Sequence, residues 1–90
     1  MKIEKRLRIK NDLGLHIRPA AAIAKLLAPF SSSVFFAYKK EKVNAKSVMS
    51  LLLLMAKKDA WITVTIEGDD AQDAFEVLKK AFETKFEDNL

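Results

Sequence analysis

One short stretch, GLHIRPAA from Gly14 to Ala21, holds the residues best suited to chemistry. It contains His16, the only histidine of the chain, followed two positions later by Arg18 and then by Pro19. Because an alanine-rich run that predicts a helix comes next, His16 is expected where unpaired N–H groups and the helix dipole attract an anion. The same positive end disfavours an imidazolium, which predicts a neutral and nucleophilic ring. The fork of the Arg18 guanidinium suits phosphate oxygens.

These groups point to phosphoryl chemistry. A neutral imidazole can accept a phosphoryl group directly, and the helix start with Arg18 would hold it. The sequence shows no Ser/His/Asp set, no paired carboxylates and no Walker-type phosphate loop, so it predicts an acceptor without a donor site. The alternative is that this lone histidine is a polar surface residue with no chemical role.

Composition limits the possible classes of protein. The 90 residues suffice for one domain, and the absence of cysteine excludes disulfides and thiolate chemistry. A single histidine makes a metal site improbable, so no metal and no cofactor are expected. No secretory signal and no membrane-spanning run is found, which predicts a cytoplasmic protein with no membrane insertion. The net charge of +4 favours acidic or phosphate-bearing partners.

Hydrophobic periodicity predicts seven elements over a single domain, residues 1–90. We expect strands over 2–9 and 61–67, a hairpin over 31–47 turning at KKEK, and helices over about 17–28, 48–56 and 71–86. Ser47 and either Asp69 or Asp70 are predicted N-caps, and Asp59 a left-handed turn residue. The final EDNL is expected to fray. The order β-α-β-β-α-β-α with one apolar face per strand predicts an α+β fold, three helices covering one face of a mostly antiparallel sheet.

The predicted second helix is apolar almost all round, and a small domain cannot bury every side chain of it. Leu51 and Leu54 are expected to face the core. Val48, Met49 and Leu52 are then predicted to point outward or sideways and to form a docking surface for partners. The alternative is that all of them are core residues. Lysines at positions 25, 46, 57 and 58 would add a positive rim.

Two motifs carry a resemblance to a known family. GLHIRPAA resembles the GLHARPA motif of the HPr family, the histidine-containing phosphocarriers of the bacterial phosphotransferase system, and VNAKSVM resembles the region around that family's regulatory serine. The resemblance implies an open-faced β-sandwich of four antiparallel strands and three helices. It also implies that enzyme I, with phosphoenolpyruvate as the original donor, phosphorylates His16 on the nitrogen nearer the backbone. The phosphoryl group then passes to an EIIA domain of a sugar permease.

The resemblance also assigns roles to single residues. Arg18 matches the arginine that accompanies the histidine, and phosphate binding falls to Ile17 and Arg18. Ser47 matches the serine that a dedicated HPr kinase/phosphorylase modifies in some bacteria, although an N-cap role alone would account for it. A monomer that binds no nucleic acid is expected.

The chain departs from the family pattern in its turns. Where the family commonly has glycine after the second helix and before the last strand, this chain has Met55 and Asp59, and its hairpin turn KKEK has no glycine. The His16 loop is intact. An alternative function is therefore a regulatory phosphorelay or docking module, uncoupled from sugar uptake and controlled through Ser47. A basic nucleic-acid binder has little weight, since no recognition helix or exposed aromatic pair is evident.

Overall fold

The computed structural model describes residues 1–86, so the expected fraying of residues 87–90 lies outside the described residues. The predicted element order is confirmed. The elements are β1 (Lys2–Arg8), α1 (Ile17–Leu27), β2 (Ser33–Tyr38), β3 (Glu41–Asn44), α2 (Val48–Leu53), β4 (Trp61–Glu67) and α3 (Ala71–Glu83).

The four strands form one antiparallel sheet in the order β1-β4-β2-β3. Strand alternation separates its two faces, as predicted. In β4, Ile62, Val64 and Ile66 are fully buried, whereas Thr63 and Thr65 between them are only half-buried. The helices cover the buried face: α3 packs on β1 and β4, α2 packs on β3, and α1 contacts both other helices. This arrangement leaves the other face of the sheet open.

Each of the first two helices buries one apolar face. In α1, Ala20, Ile23 and Leu27 are fully buried, and the helix ends just before Pro29 because a proline disfavours α geometry in the residue before it. In α2, Leu51 is buried, and Leu54 at the end of the helix is buried beside it, as expected.

Two predicted helix ends are wrong. We predicted α2 to reach Ala56, but it ends at Leu53, because Met55 takes a left-handed conformation with φ 50° that no α-helix can contain. We predicted the last helix to reach Phe86, but α3 ends at Glu83.

The end of α3 is a Schellman motif, in which the backbone turns back on the last turn of the helix. The Phe86 N–H donates to the Ala81 carbonyl at 2.9 Å, and the Lys85 N–H donates to the Phe82 carbonyl at 3.3 Å. Lys85 has φ 58° where glycine is usual. Phe86 is only 1% exposed and meets Phe82 edge to face, with ring centroids 5.1 Å apart. Phe86, predicted as the last helical residue, is thus buried in the turn that follows α3.

The turns that lack the family glycines retain a backbone that favours glycine. Lys39 in the hairpin turn, Met55 and Asp59 have φ 55°, 50° and 73°, which confirms the predicted left-handed turn at Asp59. A side chain in this region costs about 1–2 kcal/mol per residue. The chain therefore keeps the turn shapes and accepts local strain at each.

Asp70 occupies the N-cap position of α3, but its carboxylate points to the loop before β2 instead of capping its own helix. It accepts hydrogen bonds from the Ser31 N–H at 2.9 Å, from the Ser32 N–H at 3.0 Å and from the Ser32 hydroxyl. These bonds lower the pKa of Asp70 to about 2, the Ser32 hydroxyl having the largest effect. Asp70 thereby ties the start of α3 to the start of β2.

Candidate functional site

The loop before α1 is held against the segment that follows α2. Gly14 has φ 70°, and a Cβ at this position would lie 2.5 Å from the Ala56 carbonyl oxygen and 2.8 Å from the Lys57 Cα. The next residue, Leu15, donates its N–H to that same Ala56 carbonyl at 2.8 Å. Only glycine fits this close approach. The position of His16, two residues further on, is therefore set by the backbone after α2.

A second set of bonds fixes the same two segments further from the helix. The Ile9 N–H donates to the Ala60 carbonyl at 2.9 Å, and the Asp59 N–H donates to the Ile9 carbonyl at 2.7 Å. Within the loop, the Gly14 N–H donates to the Asn11 carbonyl at 3.1 Å, and the Asn11 side-chain amide donates back to the Gly14 carbonyl. These bonds close the loop on itself before it enters α1.

His16 is the N-cap residue of α1. Its backbone is extended, with φ −94° and ψ −167°, and its carbonyl accepts the first helical bond from the Ala20 N–H at 3.0 Å. Its half-buried side chain makes no capping hydrogen bond. The ring is thus positioned by the backbone while its nitrogens are not used to cap the helix.

The first turn of α1 offers two backbone donors beside this ring. The first N–H groups of a helix have no acceptor inside it, which applies to Ile17 and Arg18, whereas Pro19 has no N–H to offer. Pro19 is buried in the first turn, as predicted, and Arg18 is helical despite the bias that a following proline imposes. The structure therefore places His16, Ile17 and Arg18 together at the positive end of the helix.

The Arg18 guanidinium is exposed. Within residues 1–86 the ion pairs are Arg8–Asp59 at 3.0 Å and Lys58–Asp12 at 3.1 Å, and neither involves Arg18. Its charge is therefore available to an anion at the helix start.

Large apolar side chains are exposed around the His16 loop. We call them the apolar rim: Leu13, Ile17, Met49, Leu53 and Met55. Met49 is 74% exposed and Met55 75% exposed. The bond between Leu15 and Ala56 brings the end of α2 beside the loop, so side chains from both segments border His16. An exposed apolar group of this kind is typical of a surface that binds other proteins.

The predicted docking residues fall into two groups. Met49 is exposed, whereas Val48 and Leu52 are half-buried and pack against the core. Their role in docking stays a prediction. Leu53 and Met55 are also exposed, although the sequence pattern did not single them out. The exposure of Leu53 could have been predicted from its position, roughly 200° around the helix from the buried Leu51. The exposure of Met55 could not have been predicted without knowledge of its left-handed backbone.

Part of the predicted positive rim is engaged in other contacts. The Lys46 ammonium donates to the Phe30 carbonyl at 2.6 Å, and Lys58 pairs with Asp12. Lys25 and Lys57 are exposed outside these contacts. Of the four lysines, only Lys58 is paired with a carboxylate within residues 1–86.

Ser47 is the N-cap of α2, as predicted, and its hydroxyl oxygen accepts a hydrogen bond from the Ser50 N–H at 3.2 Å. The residue is half-buried. Its structural role is thus shown, whereas its phosphorylation stays a prediction.

Residues 1–86 contain no group of three or more His, Asp or Glu side chains placed to bind a metal ion. None of the helices in this range has the length and apolar character needed to cross a membrane.

Comparison with known proteins identifies the family. Residues 3–84 match the family model described as the PTS HPr component phosphorylation site. The phosphocarrier protein HPr of Xylella fastidiosa (strain Temecula1) is 36% identical over 87 residues, which cover 97% of this chain and 98% of that protein. The crystal structure of HPr-C-His from Thermoanaerobacter tengcongensis superposes with a TM-score of 0.90 at 36% identity, over 98% of this chain and 99% of that one.

A third relative is a larger protein. The phosphoryl donor subunit DhaM of the PEP-dependent dihydroxyacetone kinase of Providencia stuartii is 35% identical over 82 residues, covering 91% of this chain but 17% of that protein. The family match spans most of the chain, and it coincides with the fold and with an intact histidine loop. The chain therefore belongs to the HPr family of phosphocarrier proteins.

Proposed function

We propose that this protein carries a phosphoryl group on His16, accepting it from phosphorylated enzyme I and passing it to an EIIA domain of the sugar phosphotransferase system. The observation that supports this proposal most is the position of His16 at the start of α1. It is an N-cap residue whose ring takes no part in capping, and it lies beside two first-turn backbone donors and the exposed Arg18.

The chemistry follows from these groups. A neutral ring nitrogen of His16 attacks the phosphorus, a P–N bond forms, and the bond from phosphorus to the donor breaks. The N–H groups of Ile17 and Arg18, together with the Arg18 guanidinium, then stabilise the negative charge on the phosphoryl oxygens. Because the helix start is fixed, this stabilisation needs no rearrangement of the chain.

The apolar rim, together with Val48 and Leu52, forms the docking surface in this proposal. Both the donor and the acceptor of the phosphoryl group must reach the same histidine, so one surface serves partners of different shape. Met49 and Met55 suit this because methionine is flexible and polarisable. Arg18 at the edge of the rim favours acidic partners. The protein would act as a monomer in the cytoplasm without a cofactor.

The direct test is labelling with enzyme I and phosphoenolpyruvate. The wild-type chain is expected to gain one phosphate that is labile in acid and stable in base, and His16→Ala none. Arg18→Glu is expected to slow labelling by about tenfold or more, because it reverses the charge that faces the phosphoryl group. Lys25→Glu, an exposed charge reversal in the last turn of the same helix, is the control and should label normally. Normal labelling of His16→Ala would refute the proposal.

A second candidate is a phosphorelay that is not coupled to sugar uptake. It is supported by the relative named as a phosphoryl donor subunit of a dihydroxyacetone kinase, since that function does not include transport. Phosphorylation of Ser47 by an HPr kinase/phosphorylase would regulate such a relay, because a phosphate there adds negative charge next to Val48 and Met49. Transfer from the phosphorylated protein to a panel of EIIA domains distinguishes the two. Transfer to none of them favours the relay.

A further inference from the structure

A cleft lies where the strand β1 meets the start of β4 and the last turn of α3. None of its lining residues belongs to the apolar rim, and Lys10, at the beginning of the loop before α1, is the only one that the loop contributes. The cleft has a volume of about 320 Å³, which is at the lower end of the range for small-molecule pockets, roughly 300–1,000 Å³.

The indole of Trp61 borders this cleft and is 47% exposed. Trp61 pairs with Arg8 across the β1–β4 ladder, on the open face of the sheet. The guanidinium carbon of Arg6 lies 4.9 Å from the centroid of the indole, and that of Arg8 lies 5.8 Å from it. Cation–π attraction at these distances holds both arginines beside the ring. An aromatic surface and two guanidinium groups are therefore presented side by side.

The lining of the cleft carries an excess of positive charge. It includes four cationic side chains, Arg6, Arg8, Lys10 and Lys79, and one carboxylate, Glu83. Arg8 is neutralised by Asp59 at 3.0 Å, whereas the other three take part in no ion pair of residues 1–86. Cations that outnumber the carboxylates beside them attract anions.

The rest of the lining is apolar. Leu7 pairs with Ile62 on the helix-covered face of the sheet, and Phe82 is almost fully buried there, so the indole on the open face is the apolar surface exposed to a ligand. Inorganic phosphate alone would leave the indole in water, and an apolar ligand alone would leave the cations without a partner. The cleft thus matches a ligand that joins a planar apolar ring to a negatively charged group.

We propose that the cleft binds a nucleoside phosphate, with the base against Trp61 and the phosphates against Arg6, Lys10 and Lys79. A nucleoside diphosphate fits best, because its two phosphates match a site with three cations outside any ion pair. This site is independent of phosphoryl transfer at His16, so either proposal can fail without the other.

The chain contains its own reporter, because Trp61 is its only tryptophan. Titration of the wild-type protein with ADP, with excitation where adenine does not absorb, is expected to change Trp61 fluorescence saturably. Inorganic phosphate alone and adenosine alone are each expected to bind about tenfold more weakly or worse, since each uses half of the cleft. Backbone amide shifts in a two-dimensional NMR spectrum should move at residues 6–10, 61 and 79–83.

Variants locate the site. Arg6→Gln and Lys79→Gln are each expected to weaken ADP binding by about tenfold. Lys42→Gln is the matched control: the Lys42 ammonium also lies over an aromatic ring, that of Phe35 at 5.4 Å, but it does not line the cleft. This control should bind ADP like the wild type.

Three results would overturn the proposal. One is the absence of saturable binding at millimolar ADP, and another is unchanged binding in both cleft variants. The third is amide shifts centred on His16 and Arg18, which would place the nucleotide at the phosphoryl site.

A single-stranded oligonucleotide is the remaining probe. It is expected to bind no more tightly per site than ADP, and binding tenfold tighter would indicate a nucleic-acid surface and refute the small-ligand site.

Discussion

The helices α1 and α2 begin alike but use their N-cap side chains in opposite ways. His16 and Ser47 both precede the first helical turn with an extended backbone. The Ser47 hydroxyl accepts the Ser50 N–H, whereas the His16 ring caps nothing. A capping bond stabilises a helix by about 1 kcal/mol. α1 therefore lacks a stabilising bond at the position where we propose that an unpaired helix start serves phosphoryl chemistry.

Asp70 at the start of α3 is a third case. Its carboxylate leaves its own helix uncapped and holds the loop before β2 instead. The three N-cap positions thus provide a side chain that caps nothing, a local cap and a tertiary clasp. The backbone at a helix start permits all three, and the side chain decides which one occurs.

The largest change in stability is expected from Gly14→Ala. The new Cβ would meet the Ala56 carbonyl and the Lys57 Cα in a left-handed backbone, so the free energy of unfolding should fall by about 2 kcal/mol or more. Labelling of His16 should slow as well, since this contact positions the loop. Urea denaturation and the labelling rate measure the two effects. Loss of stability with a normal labelling rate would show that the anchor to α2 does not position His16.

Asp70→Asn is expected to destabilise the fold next most strongly, because four hydrogen bonds depend on one carboxylate. The pKa of Asp70 is lowered to about 2 in the folded chain from its usual 3.8. The stabilisation is therefore complete above the usual pKa and is lost as the pH falls toward 2. The difference in melting temperature between wild type and variant should be constant from pH 7 to about pH 5 and shrink below pH 4.

The control for that change is Asp73→Asn, an exposed carboxylate in the first turn of the same helix. It should have little effect on the melting temperature at pH 7. A pH-independent difference for Asp70→Asn would mean that the clasp does not depend on the charge.

Ser47→Ala is expected to lower the free energy of unfolding by about 1 kcal/mol, because one cap bond is lost. Labelling of His16 should remain at the wild-type rate. Denaturation and labelling of the same preparation measure both quantities, and Ser50→Ala, which keeps the backbone donor, is the control. Slower labelling in Ser47→Ala alone would show that the two helix starts are coupled.

Met55→Gly is expected to have the smallest effect on stability. Unlike the three changes above, it should raise the free energy of unfolding. Glycine relieves the left-handed backbone at φ 50°, so stability should rise by up to about 1 kcal/mol. Transfer should weaken, because an exposed side chain of the apolar rim is removed. Thermal denaturation and the affinity for enzyme I measure the two effects. Unchanged affinity would exclude Met55 from the docking surface.

The sequence predicted those features that depend on local pattern. The order of elements, the buried faces of β4 and α1, and the position of His16 at a helix start all follow from periodicity and from one motif. The resemblance to the HPr family supplied the chemistry. Ser47 was predicted as a cap because hydroxyl residues are preferred there.

Features that depend on the tertiary structure were missed. The end of α2 is set by a left-handed Met55 and by the bond from Leu15 to Ala56, neither of which a local pattern contains. Phe86 continued the apolar repeat of α3, but its N–H bonds back to Ala81 in a Schellman turn instead. The sequence pattern identified Trp61 only as the start of a strand, because the arginines beside it lie on a strand more than 50 residues earlier in the chain.

The central claim is that α1 leaves its N-cap side chain uncommitted so that it can carry a phosphoryl group. The variant His16→Ser tests it most directly, because serine is a preferred N-cap and the backbone at position 16 is already extended. Labelling with enzyme I and phosphoenolpyruvate and urea denaturation should be measured on the same preparation. We expect no acid-labile phosphate and a free energy of unfolding higher by about 1 kcal/mol. An acid-labile phosphate on the variant, or a lower stability, would contradict the claim.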